Sequence, residues 1–107
     1  MAHFMASLTP PRRQLVREMQ RINFGRIESL KITECQPELD PMPPRVREHK
    51  FSSENGPRPE IASGDFLLKQ QVLELFAFFD QMRNGVIEVL EIKHGLPFRM
   101  DVREVSA

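Results

Sequence analysis

Two of the three aromatic residue types are missing. The 107 residues contain no Trp and no Tyr, while Phe occurs eight times. Base stacking on an aromatic platform would have to rely on Phe alone, which counts against nucleic acid as the first expectation. Only one cysteine is present, Cys35, so no disulfide can close within the chain. A reducing, cytoplasmic setting is the simplest reading of that usage. No run is both long and apolar enough to span a bilayer, and no membrane association is expected. His3, His49 and His94 are scattered, with no C-x-x-C or H-x-x-x-H spacing, so no zinc site is expected. There is no Gly-rich phosphate loop and no G-x-S-x-G. No cofactor and no catalytic motif are therefore expected. The formal net charge is zero, which argues against a strongly basic nucleic-acid binder. The opening MAHFMASLTPP lacks the basic and apolar regions of a secretory signal, and Met5 reads as an equally natural start.

The charge that is present is unevenly spread. Residues 1–50 carry nine Lys/Arg against six Asp/Glu, and residues 51–107 carry six against nine. Opposite halves of this kind can attract within one chain or across a dimer.

A folding pattern appears twice. TPPRRQLVREMQRIN reads as a helix, with Thr9 and two prolines at its start and Leu15, Val16, Met19 and Ile22 on one apolar stripe. Gly25 is the expected stop. RIESLKI reads as a strand, TECQ as a turn and PELDPM as a short return strand. Residues 41–63 are rich in Pro, Ser, Asn and Gly and hold one further candidate strand, RVREHKF. ENGPRPE, with Arg58 between two prolines, reads as a rigid connector. A second helix is expected over SGDFLLKQQVLELFAFFDQMRNG, capped by Ser63 or Asp65 and stopped by Gly85. Leu68, Val72, Leu75, Phe79 and Met82 form its main stripe. VIEVLEI, KHG and LPFRMDV then read as strand, turn and strand. In the last strand Leu96, Phe98, Met100 and Val102 alternate cleanly.

Without gaps, Leu15, Gly25, Ile27, Glu28, Leu30, Ile32 and Pro37 match Leu75, Gly85, Ile87, Glu88, Leu90, Ile92 and Pro97. The expected fold is α+β: a tandem helix–strand–strand repeat forming a mainly antiparallel sheet, with two helices packed on one face. The expected organisation is a single domain over 1–107, with units over 9–40 and 64–105 joined by the connector. One such unit cannot bury its apolar face alone, whereas two together can. Strand alternation puts Ile27 opposite Leu30 and Ile32, and Ile87 opposite Leu90 and Ile92. Two readings account for the change of side: a bulge at the Glu, or opening residues that pack on the preceding helix end. The second is preferred, because the helix stop lies close to the Ile.

The stretch INFGRIESLKITECQPEL, with its helix end, Gly, alternating strand, tight turn and return strand, resembles YezD-like small bacterial proteins. The resemblance implies a small bacterial α+β protein with no assigned activity. It also implies a small polar residue where Glu28 and Glu88 stand, which speaks against a catalytic role for either.

Three sets of side chains are candidates for function. Arg13, Arg17 and Arg21 lie at i, i+4, i+8 on the first helix, and Arg45, Arg47 and Lys50 extend the basic half. Like charges at that spacing destabilise a helix slightly; phosphates, or acidic groups of the second half or of a partner, would offset them, and the plainer reading is a solvated face. Phe66, Phe76 and Phe78 widen the apolar face of the second helix beyond what one sheet covers; the expected cover is a second copy, and burial under residues 41–63 is the alternative. Glu28 and Glu88 could form a carboxylate pair for acid–base or metal chemistry. The plainer reading is a strand charge meeting an Arg such as Arg26 or Arg83. Cys35 is expected on a hairpin turn, where the other copy has Gly95. The best functional expectation is a non-enzymatic homodimeric module that binds an unidentified protein. A nucleic-acid-binding protein using the basic face is the alternative.

Overall fold

A computed structural model of the chain describes residues 4–51 and 68–104. Among them a short 3-10 turn, Met5–Ser7, precedes helix α1, Pro10–Ile22. Strands β1, Gly25–Thr33, β2, Gln36–Pro37, and β3, Arg45–Arg47, follow. Helix α2, Gln70–Met82, leads into β4, Gly85–Lys93, and β5, Leu96–Val102. The second helix and its strand thus begin and end 60 residues after the first.

Local chemistry accounts for the first helix. The Thr9 hydroxyl accepts from the Arg12 amide, and Pro10 and Pro11 occupy positions that need no donor. The expected stripe is buried in full: Leu15, Val16, Met19 and Ile22. The second helix departs from expectation. Ser63, Asp65 and Phe66 lie outside the described residues. The helix begins at Gln70, with Lys69 at the N-cap position and no side-chain cap. Leu68 is buried but precedes the helix.

Neither helix ends at its glycine. The chain turns at Asn23 (φ 63, ψ −56) and Arg83 (φ 63, ψ −54). Phe24 N–H donates to the Ile22 carbonyl and Asn84 N–H to the Met82 carbonyl, each at 2.7 Å. That is a three-residue γ-turn with positive φ, a rare and strained form. Gly25 and Gly85 come two residues later and open the strands.

The sheet runs β2-β1-β4-β5, with β3 also paired to β1. Every pairing is antiparallel. β4 takes one edge of β1 along nearly its whole length, from Gly25↔Ile92 to Ile32↔Gly85. β2 and β3 share the other edge, at Ile32–Thr33 and Gly25–Ile27. They occupy the place that β5 holds beside β4, interrupted by the proline-rich residues 38–44. Of the expected return strand PELDPM only Pro37 pairs, together with Gln36 from the expected turn, and RVREHKF shortens to Arg45–Arg47.

One core joins both helices to the sheet. Leu15 and Leu75, Ile27 and Ile87, Leu30 and Leu90, and Ile32 and Ile92 are all buried in it. Full burial of such a side chain contributes about 1.5–3 kcal/mol. Ile27 thus shares a core with Leu30 and Ile32, and the change of side is absorbed within the strand. Ser29 takes φ 55 in β1, and the β4–β5 register shifts between Ile87 and Val89. The shift in β4 at Glu88 is the bulge that the first reading expects, while β1 keeps an unbroken register with β4 past Glu28 and Ser29.

Each hairpin turn is tied to the far helix end. Cys35 N–H donates to the Arg83 carbonyl at 2.8 Å, and Gly95 N–H donates to the Asn23 carbonyl at 2.9 Å. The two helix–hairpin elements therefore finish one another's backbone hydrogen bonding.

Candidate functional site

Two members of the basic set share one carboxylate. Glu18 stands one turn from Arg21 on α1, and Arg45 reaches it from β3. Its carboxylate oxygen lies 2.6 Å from Arg21 Nη2 and 2.9 Å from Arg45 Nη1. The Glu18 side chain is 12% exposed. Burial pushes this carboxyl up, but hydrogen bonds from Arg21 and Arg45 outweigh it and hold the group below its ordinary 4.5. The stability it supplies is present above 4.5 and is lost as pH falls through the lower folded value. Glu18→Gln should therefore lower stability at neutral pH by about 1 kcal/mol and flatten that acid dependence. Urea midpoints measured at neutral pH and across the acid range check both effects.

The remaining cations are spread out. Arg13 donates to the Ala6 carbonyl at 3.4 Å. Arg17 and Arg47 are exposed. Lys50 lies 3.7 Å from Glu48 and over the Phe24 ring at 5.3 Å.

Glu28 and Glu88 each have an arginine partner of their own. Glu28 pairs with Arg26 at 2.9 Å, and Glu88 pairs with Arg103 rather than Arg83. Both carboxylates are more than a third exposed, where ion pairs contribute little. No group of three or more His, Cys, Asp or Glu side chains among the described residues is placed to hold a metal. His94 packs edge-on to Phe24, and His49 edge-on to Phe51. His3 and Arg58 lie outside the described residues. Cys35 is half-buried, with its Sγ 3.9 Å from the Asp80 carbonyl oxygen.

A residue the helical spacing did not single out organises more of the molecule. Arg12 Nη2 donates to the Cys35 carbonyl at 2.8 Å and to Asp80 Oδ1 at 2.6 Å. Its guanidinium also lies over the Phe76 ring at 5.1 Å. One sequence signal pointed to it: a cation in the first turn of a helix opposes the helix dipole and needs a compensating anion. Asp80, in the last turn of α2, has the converse problem.

The phenylalanine set divides. Phe76 is only 4% exposed and packs edge-on to Phe79 inside the core. It is not available to a second copy, so the expectation for Phe76 is corrected. Phe78 is half-buried and lines a groove between α2 and β5. Leu75, Leu90, Pro97, Phe98 and Met100 supply most of its apolar wall, and Gln71, Glu74 and Arg99 supply polar atoms. At about 270 Å³ it falls just under the usual range for drug-sized ligands, roughly 300–1,000 Å³. Phe98 is 58% exposed, with Lys93 Nζ 4.0 Å from its ring centroid. The register slip between Glu91 and Ile92 accompanies this departure from clean alternation.

No protein-family model, curated protein or solved structure matches the chain. The likeness to YezD-like proteins thus rests on the strand motif alone. No helix of the described residues is long and apolar enough to cross a membrane.

Proposed function

We propose that the protein is a non-enzymatic interaction module that works as a homodimer and presents its α2–β5 side to protein partners. The observation that carries this reading is the open groove there, with Phe78 on its wall and Phe98 more than half exposed beside it. An exposed Phe98 beside half-buried Phe78 and Met100 at an apolar depression suits a protein surface better than water. The single Cys35 fits a reducing, cytoplasmic setting, and the family likeness suggests a bacterial one.

The alternative is phosphate binding by Arg13, Arg17, Arg21, Arg45, Arg47 and Lys50. Glu18, held between Arg21 and Arg45, counts against it. Light scattering on the full chain should give a dimer at micromolar concentration. Fluorescence anisotropy with labelled single-stranded and duplex oligonucleotides should show no binding at low salt. A monomer, or oligonucleotide binding that falls steeply as salt rises, would reverse the choice.

A further inference from the structure

We infer that two copies join edge to edge through β5, antiparallel, about a two-fold axis at Met100. This rests on the dimer reading above and specifies its contacts. β5 pairs with β4 on one side, and no other strand among the described residues pairs with it. An edge strand of seven residues presents a row of backbone donors and acceptors that invites another strand. Pro97 blunts only its beginning, since proline lacks the N–H a ladder needs. Phe98–Val102 is left as the pairing stretch.

Charge selects the register. An axis at Met100 sets Arg99 opposite Asp101 of the second copy, and the symmetry makes that contact twice. An axis at Arg99 would instead oppose two arginines. An axis between Arg99 and Met100 would set Phe98 opposite Asp101. Only the Met100 register also matches the apolar residues, with Phe98 opposite Val102 of the second copy and Met100 opposite itself. Within its own chain Arg99 lies 2.7 Å from Glu91 and 3.5 Å from Asp101. It can keep the first contact while sharing the second across the axis. Phe78 and Phe98 both line the groove beside this edge, so strand pairing places the partner-binding groove next to the dimer seam.

Charge reversal tests the register. In sedimentation equilibrium, Arg99→Asp and Asp101→Arg should each weaken dimerisation about tenfold, because each opposes like charges at two symmetric positions. The double variant restores opposite charges and should return to near the wild-type affinity. Oxidative cross-linking reads the same geometry without charge reversal, on a Cys35→Ser background. Residues directly opposite in an antiparallel pair have Cα atoms about 4.5–5.5 Å apart, within disulfide reach. Met100→Cys should therefore cross-link two copies. Arg99→Cys should not, because its copies sit about 7–8 Å apart, diagonally. A wild-type dimer that ignores the reversals and cross-links poorly at Met100→Cys overturns the edge pairing but leaves a dimer. Strongest cross-linking at Arg99→Cys overturns the register. A wild-type monomer overturns both this inference and the reading it rests on.

Discussion

Gly25→Ala is expected to destabilise the protein by about 3 kcal/mol or more, and Gly85→Ala by less than about 1 kcal/mol. The two glycines occupy matched places, each opening a strand after a helix. Their surroundings differ. Gly25 has φ 155, and a Cβ there would run into the Val46 carbonyl oxygen and come within 3.0 Å of both the Arg47 Cα and the Ile22 Cγ2. Two of those three atoms are backbone of β3, so relief requires β3 to move off β1. A Cβ on Gly85 would meet only Met82, with its terminal methyl nearest at 2.7 Å. A thioether chain has several rotamers and can swing aside. Urea denaturation of both variants measures the difference. Equal costs would mean that β3 is not held against Gly25.

Arg12→Ala should cost about 2 kcal/mol, the larger part of it from ties that no other described residue makes. The side chain is 12% exposed, whereas its partner Asp80 is 61% exposed. The two ends of the pair are therefore not equivalent. Removing Arg12 deletes two hydrogen bonds and the cover over Phe76, and it leaves the Cys35 carbonyl without this donor. Removing Asp80 leaves a guanidinium that still holds Cys35 and Phe76. Asp80→Asn should accordingly cost well under half as much. Arg12→Lys should behave closer to Arg12→Ala than to wild type, since an ammonium cannot lie flat on the ring while forking between two acceptors. Thermal melts of the three variants would show that order. An Asp80→Asn loss equal to that of Arg12→Ala would reduce Arg12 to an ordinary ion-pair partner.

The residues that recur in the sequence at matched places are those whose burial is local in origin. Leu15 and Leu75, Leu30 and Leu90, and Ile32 and Ile92 follow from helix and strand periodicity, whereas Ile27 and Ile87 reach the same core through the irregularity inside their strands; all eight are buried. The helix ends were less legible. Gly is the usual residue for positive φ, so Gly25 and Gly85 read as stops, while Asn23 and Arg83 take that conformation instead. What holds them there is the hydrogen bond each carbonyl receives from a turn in the other half, which no local window contains. Arg12, Glu18 and the buried Met5 were passed over for the same reason. Arg12 pairs with Cys35 and Asp80, and Glu18 meets Arg45 as well as its helix neighbour Arg21, so the contacts that matter most are distant in sequence, where spacing rules do not reach. Phe98 departs from the face that alternation has it share with Leu96, Met100 and Val102, because alternation assumes an even ladder and the register shift between Glu91 and Ile92 breaks it.

The reciprocal turn contacts have a consequence for how the chain comes apart. The rung of the β1–β4 ladder closest in sequence still joins Ile32 to Gly85, so each rung closes a loop of more than fifty residues. Loop entropy grows only slowly with such length, so the cost of bringing the halves together is met nearly once and then shared by every rung. Releasing one half strips the other of a strand partner along β1 or β4 and of the donor that ends its helix. A species with one half folded would therefore expose apolar surface and open backbone groups together. Loss of order is therefore expected to be concerted, because each half supplies backbone partners that the other lacks.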